Sequence, residues 1–167
     1  MSIFHHLYDP EATIWNIYLK FVFADLDGER SPSLQRAIEW FREYPGYRGY
    51  PGMETDEVTT LKNVTSRSVK EINIDQGIQF LESTIIEAVH YASNERLEAG
   101  QARSLAEAFM TEFESPLVFC NWVPSSSPNW GLSYGNVTDP ELGYTLEYFL
   151  CCIDRNRIGF VFSLNNE

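Results

Sequence analysis

Two apolar runs near the end of the chain, residues 144–153 (YTLEYFLCCI) and 157–164 (RIGFVFSL), are separated only by Asp154, Arg155 and Asn156. Both runs are rich in aromatic and β-branched residues, which fit a pleated surface. A connection this short joins them as antiparallel neighbours, because parallel strands need a long crossover. The pair therefore predicts an antiparallel hairpin that offers a stable boundary to the sheet. Its register stays open, since a slip of one residue exchanges the two faces. On such a strand the adjacent Cys151 and Cys152 point to opposite faces, which suits them poorly to a paired-thiol redox site.

The remaining segments supply partners for this hairpin. In residues 13–24 (TIWNIYLKFVFA), Ile17, Leu19, Phe21 and Phe23 alternate as in a strand. Ile14, Ile17, Tyr18 and Phe21 also form a helical stripe, so a helix competes; the strand is preferred. Residues 31–44 read as a helix with Ser31 as cap, Pro32 at its first position, and Leu34, Ala37, Ile38 and Phe41 facing inward. Pro45 and Gly46 stop it, and residues 47–52 continue as an aromatic loop. Short strands are expected within residues 57–65 and 68–74. Asp75 is expected to cap a helix reaching Ala92, with Ile78, Leu81, Ile85, Ala88 and Val89 on its apolar face. A second helix is expected from Asn94, ended by Ser115 and Pro116, with Gly100 loosening or breaking it. Residues 117–123 read as a strand, residues 124–128 as a loop, and Trp130 to Tyr134 as another extended piece.

These pieces predict an α+β fold, an antiparallel-rich sheet covered by two or three helices. One sheet face and one stripe of each helix would be buried. The 167 residues show no internal repeat and no clear boundary, so a single acidic domain is expected over residues 1–167. Repeated βαβ units and a dinucleotide fold do not match the pattern.

Charge narrows the partners. The chain has 24 Asp and Glu against 12 Lys and Arg, a formal charge of −12. That field repels nucleic-acid backbones and attracts basic proteins. No basic run marks a nucleic-acid site, and no apolar run is long enough for a membrane span. The start, MSIFHHLYDPEAT, lacks the basic and apolar regions of a leader, so a cytoplasmic setting is expected. Three cysteines, an odd number, fit reduced thiols better than a disulfide scaffold.

No catalytic constellation stands out. The neighbouring His5 and His6 fall short of a zinc ligand set, so no metal or other cofactor is expected. Glu87 and His90 share a helical face, yet one Glu-x-x-His unit is only half of a di-iron pattern. Cys120 and His90 would form a nucleophile–base pair if they met, which is the enzymatic alternative. A small residue such as Cys120 also suits a buried strand. The acidic loop containing Asp25, Asp27 and Glu29 lacks the full series of a calcium loop. Asp139 and Glu141 in another turn have no partner acid at a defined separation. Ser125, Ser126 and Ser127 lack a positioned base, and Gly49 and Gly52 belong to no phosphate loop. Asn63 and Asn136 head glycosylation triplets, incidental in a chain that is not secreted.

Recognition has more support. Trp130 near Tyr134, and Tyr50 near Tyr47, are either core-edge residues or partner anchors. Glu82, Glu87, Glu95, Glu98 and Glu107 interrupt the apolar faces of the central helices. Glu112 and Glu114 sit at a helix C-terminus, where negative charge needs a cation, solvent or a basic partner. If Glu82, Glu87, Glu112 and Glu114 converge with Asp25 and Asp27, they form an acidic docking surface. The expected function is a non-enzymatic protein-binding module, a stoichiometric inhibitor or immunity protein that binds a basic toxin or nuclease. A ligand carrier with an aromatic pocket is a further alternative.

Overall fold

A computed structural model describes residues 19–50, 53–92, 100–122, 134–138 and 146–165, and the hairpin lies inside its main sheet. β6 (Leu146–Ile153) and β7 (Arg157–Asn165) pair antiparallel, with Ile153 opposite Ile158. Asp154 closes the turn: its Oδ1 accepts from the backbone N–H of Asn156 at 2.8 Å and of Arg157 at 2.7 Å. A short carboxylate doing the work of a backbone carbonyl is why Asp is favoured in turns.

β1 (Lys20–Asp25) pairs with β7, β5 (Leu117–Cys120) with β6, and β4 (Lys70–Ile72) with β5, all antiparallel. The order is β1-β7-β6-β5-β4. The strand reading of the first segment therefore holds over Lys20–Asp25, while residues 13–18 lie outside the described set. Among the described residues, three helices, α1 (Leu34–Glu43), α2 (Ile74–Ala92) and α3 (Gln101–Thr111), complete the α+β fold. Among the described residues, no helix is long and apolar enough to cross a membrane.

Both sheet faces are buried, which corrects the expectation of one. The reason lies in the alternation of β6 and β7, whose residues are apolar on both sides. Leu150, Cys152 and Val161 pack with Phe80, Leu81 and Ile85 of α2 and Leu105 and Phe109 of α3. Phe149, Cys151, Ile153, Phe160 and Phe162 pack with Ala37, Ile38 and Phe41 of α1 and with Leu61, Val64 and Val69. Cys151 and Cys152 thus take opposite faces. Each fully buried Phe contributes roughly 1.5–3 kcal/mol relative to exposure.

Several boundaries are also corrected. α1 is capped by Ser33, whose Oγ accepts from the Arg36 N–H at 3.0 Å, so Pro32 precedes the cap. Ser31 Oγ instead accepts from Arg155 Nη2. α2 is preceded by Asn73, whose Oδ1 accepts from the Gln76 N–H at 2.7 Å while Gln76 Oε1 accepts from the Asn73 N–H at 3.0 Å. This reciprocal box satisfies two N–H groups at once, which Asp75 inside the first turn does not. α3 starts at Gln101 after Gly100 at φ +80, so the glycine marks a boundary. The expected cap at Asn94 lies outside the described residues. The aromatic loop after Gly46 contains a strand, β2 (Tyr47–Tyr50), paired with β3 (Met53–Thr59). Gly46 lies against this hairpin; a Cβ there would sit 2.7 Å from the Thr59 carbonyl.

Candidate functional site

The β6–β7 turn gathers charged residues from four parts of the chain. Leu26 N–H donates to the Asn156 carbonyl, which draws the loop after β1 onto the turn. Gly28 takes φ +75, which L side chains rarely adopt, and a Cβ there would sit 2.8 Å from Asn156 Oδ1. The Arg36 side chain, only 4% exposed, reaches from α1 into this junction. Its guanidinium donates to the carbonyls of Arg30 and Arg155 and, at 3.1 Å, to Asp27 Oδ1. The segment after α3 arrives from the other side: Glu114 N–H donates to Asp154 Oδ2 at 2.8 Å.

Four of the expected acids therefore meet: Asp25, Asp27, Glu112 and Glu114, joined by Glu29 and Asp154. They are interleaved with Arg30, Arg36, Arg155 and Arg157. Arg157 forms an ion pair with Glu112 at 2.5 Å and a looser one with Asp25 at 3.9 Å, and lies over the Phe23 ring. This cation answers the unfavourable placement of Glu112 beyond the helix C-terminus. Asp25 remains 91% exposed. Glu29 and Glu114 are exposed and have no ion-pair partner among the described residues. The surface is a mixed-charge end with an acidic excess.

Glu82 and Glu87 do not join this set. Both lie on α2, where Glu82 shares Arg103 with Glu107, at 3.4 and 2.9 Å, tying α2 to α3. Those two hydrogen bonds hold the Arg103 guanidinium above its ordinary pKa. Glu87 is half-buried. Tyr50 ends β2, but its side chain is outside the described residues, as is all of Trp130. Asp139, Glu141, His5 and His6 also fall outside.

For the Cys120–His90 alternative, only the cysteine side chain is described. Cys120 is buried, its Sγ donates to the Trp122 carbonyl, and burial pushes its thiol up to about 12. A thiol held protonated lacks the thiolate that nucleophilic chemistry needs. Among the described residues, no three His, Cys, Asp or Glu side chains are grouped to hold a metal ion.

A second polar assembly, not legible in the sequence, lies at the end of β5. Asn121, fully buried, continues the β5–β6 ladder past Cys120: its N–H donates to the Phe149 carbonyl, and its Oδ1 accepts from the Phe149 N–H at 2.8 Å. Its Nδ2 donates to the carbonyls of Gly135 and Glu147. Glu147 is 1% exposed, and its Oε1 accepts from the N–H groups of Val137 and Thr138 at 3.0 and 2.9 Å. Thr138 Oγ1 lies 2.7 Å from Glu147 Oε2. The available signal was alternation: Glu147 shares its strand phase with Phe149, Cys151 and Ile153. No protein-family model, curated protein or solved structure matches the chain.

Proposed function

We propose that this chain is a protein-binding module without catalytic activity, which recognises a basic protein through the acidic end built on the β6–β7 turn. In this reading it acts as a stoichiometric inhibitor or immunity protein against a basic toxin or nuclease. The observation that carries the proposal is the meeting of Asp25, Asp27, Glu29, Glu112 and Glu114 around one hydrogen-bonded turn. Arg36, Asp154 and the sheet ladder hold that turn in place before any partner arrives. Preorganisation lowers the ordering cost of association. Glu29 and Glu114 are accessible to a partner's Lys or Arg without displacing an internal arginine. Asp25 and Glu112 flank them, while the overall charge of −12 accelerates encounter.

Affinity capture from the native source, quantified by mass spectrometry, tests this proposal. The bait is the wild-type chain or the double variant Glu29→Gln/Glu114→Gln, each at low and high salt. One basic protein should be enriched by wild type at low salt and lost both with the variant and with salt. The purified candidate should then bind at a one-to-one ratio. Recovery of no specific protein, together with turnover of a small substrate, would overturn the reading.

A further inference from the structure

We infer that Glu147 is a proton-linked latch: in its neutral form it holds the strap of residues 134–138 against the sheet, and its ionisation releases that strap. The strap has little regular structure of its own. It is tied down by Tyr134 N–H on the Asn121 carbonyl, by Asn121 Nδ2 on the Gly135 carbonyl, by Asn63 Nδ2 and N–H on the Asn136 and Val137 carbonyls, and by the Glu147 carboxyl on Val137 and Thr138. Val137 is fully buried against the α1 side of the sheet.

The contact geometry admits a neutral acid, although its three hydrogen bonds favour the ionised form and burial without a cation is what opposes it. A carbonyl Oε1 has two lone pairs, matching its two backbone N–H donors. A protonated Oε2 donates to Thr138 Oγ1 across the observed 2.7 Å, whereas an ionised one accepts from it. The polar partners of the Glu147 carboxyl among the described residues, Val137 and Thr138, are uncharged, while Asn121 Nδ2 and the Trp122 indole N–H donate to its backbone carbonyl. Burying a carboxylate without a cation penalises the charged form. Burial accordingly raises the Glu147 carboxyl above 4.5, against the smaller opposing effect of its hydrogen bonds. When the strap lifts, water reaches the carboxyl and removes that penalty.

The linkage sets a direction. The closed strap retains the proton to higher pH than the open strap. Opening is therefore least favoured below about 4.5 and rises by up to about tenfold per pH unit, levelling off above the closed-state value. Other titratable groups are at hand. Lys70 lies over the Tyr134 ring at the start of the strap, and Lys62 precedes Asn63. Asp139, Glu141 and Tyr144 fall between the strap and β6, outside the described residues.

Hydrogen exchange of the full chain, read by mass spectrometry over a pH series and corrected for intrinsic exchange, tests the latch. Protection of residues 134–138 should fall with rising pH in wild type and stay level in Glu147→Gln, whose amide keeps the contacts without titrating. In Thr138→Val, loss of the hydroxyl that supports the ionised form should move the levelling point upward. A flat or rising wild-type profile overturns the inference. So does an unchanged slope in Glu147→Gln, which would assign the titration to Asp139 or Glu141. If Glu147→Gln does not fold, an unmoved levelling point in Thr138→Val overturns it.

Discussion

Arg36 shows how much of the acidic end depends on one buried side chain. Its aliphatic stem leaves α1, and its guanidinium joins the Arg30 and Arg155 carbonyls to Asp27. Arg36→Ala would leave these acceptors without their donor and open a void beside α1. A loss of roughly 2–4 kcal/mol is expected, read as a lower urea midpoint. Arg36→Lys should recover only part of it, because an ammonium cannot span the same fork. Nothing in the sequence announced this role, since arginine within an amphipathic helix reads as a surface residue. Cys120 was more legible, because a small side chain inside an apolar strand implies burial. Cys120, Cys151 and Cys152 are all buried and unpaired, and burial raises all three thiols, Cys120 to about 12. The fold therefore favours their protonated forms. That contribution is complete below the ordinary thiol value of 9.0 and is lost as pH climbs through the raised one. Alkaline unfolding should coincide with thiol exposure. At pH 8 a thiol-specific disulfide reagent should label the native chain slowly and all three cysteines rapidly in denaturant; rapid native labelling of Cys120 would restore the enzymatic alternative.

At the level of elements, the β6–β7 hairpin was readable because its two runs and its turn agree. The faces of Cys151 and Cys152 followed from alternation alone. Helix starts were harder: Ser31 and Ser33 are both competent caps, and only the observed bond to the Arg36 N–H distinguishes them. β2 was hidden because Gly and Pro surround it, while pairing with β3 supplies the hydrogen bonds that its own sequence does not advertise. Packing between elements was also unreadable, as Gly159 shows. This β7 glycine lies where the ring of Phe113, just beyond α3, meets the sheet; a Cβ there would be 2.5 Å from Phe113 Cζ and 3.0 Å from the Phe23 ring. Gly159→Ala should destabilise by roughly 1–3 kcal/mol through overpacking. Phe113→Leu made in the same chain should recover part of that loss. A calorimetric double-mutant cycle measures the coupling, and additive effects would mean that the ring moves aside freely.

Across the whole molecule, the sheet divides two apolar layers, and charge is distributed around them unevenly. The fold class was legible because strand and helix periodicities differ; convergence of the acids was not, because it depends on which strands pair. Asp25, Asp27, Glu112 and Glu114 come together only because β1 lies beside β7, with α3 ending at the same turn. Glu82 follows α2 elsewhere. Long-range attraction and local docking can therefore be separated with two variants of equal charge. Glu29→Gln/Glu114→Gln and Glu82→Gln/Glu107→Gln each remove two negative charges from a chain of −12. Glu29 and Glu114 have no described ion-pair partner, so their loss should change stability by less than about 0.5 kcal/mol. Loss of Glu82 and Glu107 strips Arg103 of both carboxylates. Exposed pairs of this kind contribute little, because solvent screens them. If the acidic end docks the basic partner, the first variant should slow stopped-flow association and speed dissociation. The second should produce only the smaller, salt-screened slowing that follows from net charge. Equal effects of the two variants on both rates would mean that the partner senses the overall field and docks elsewhere.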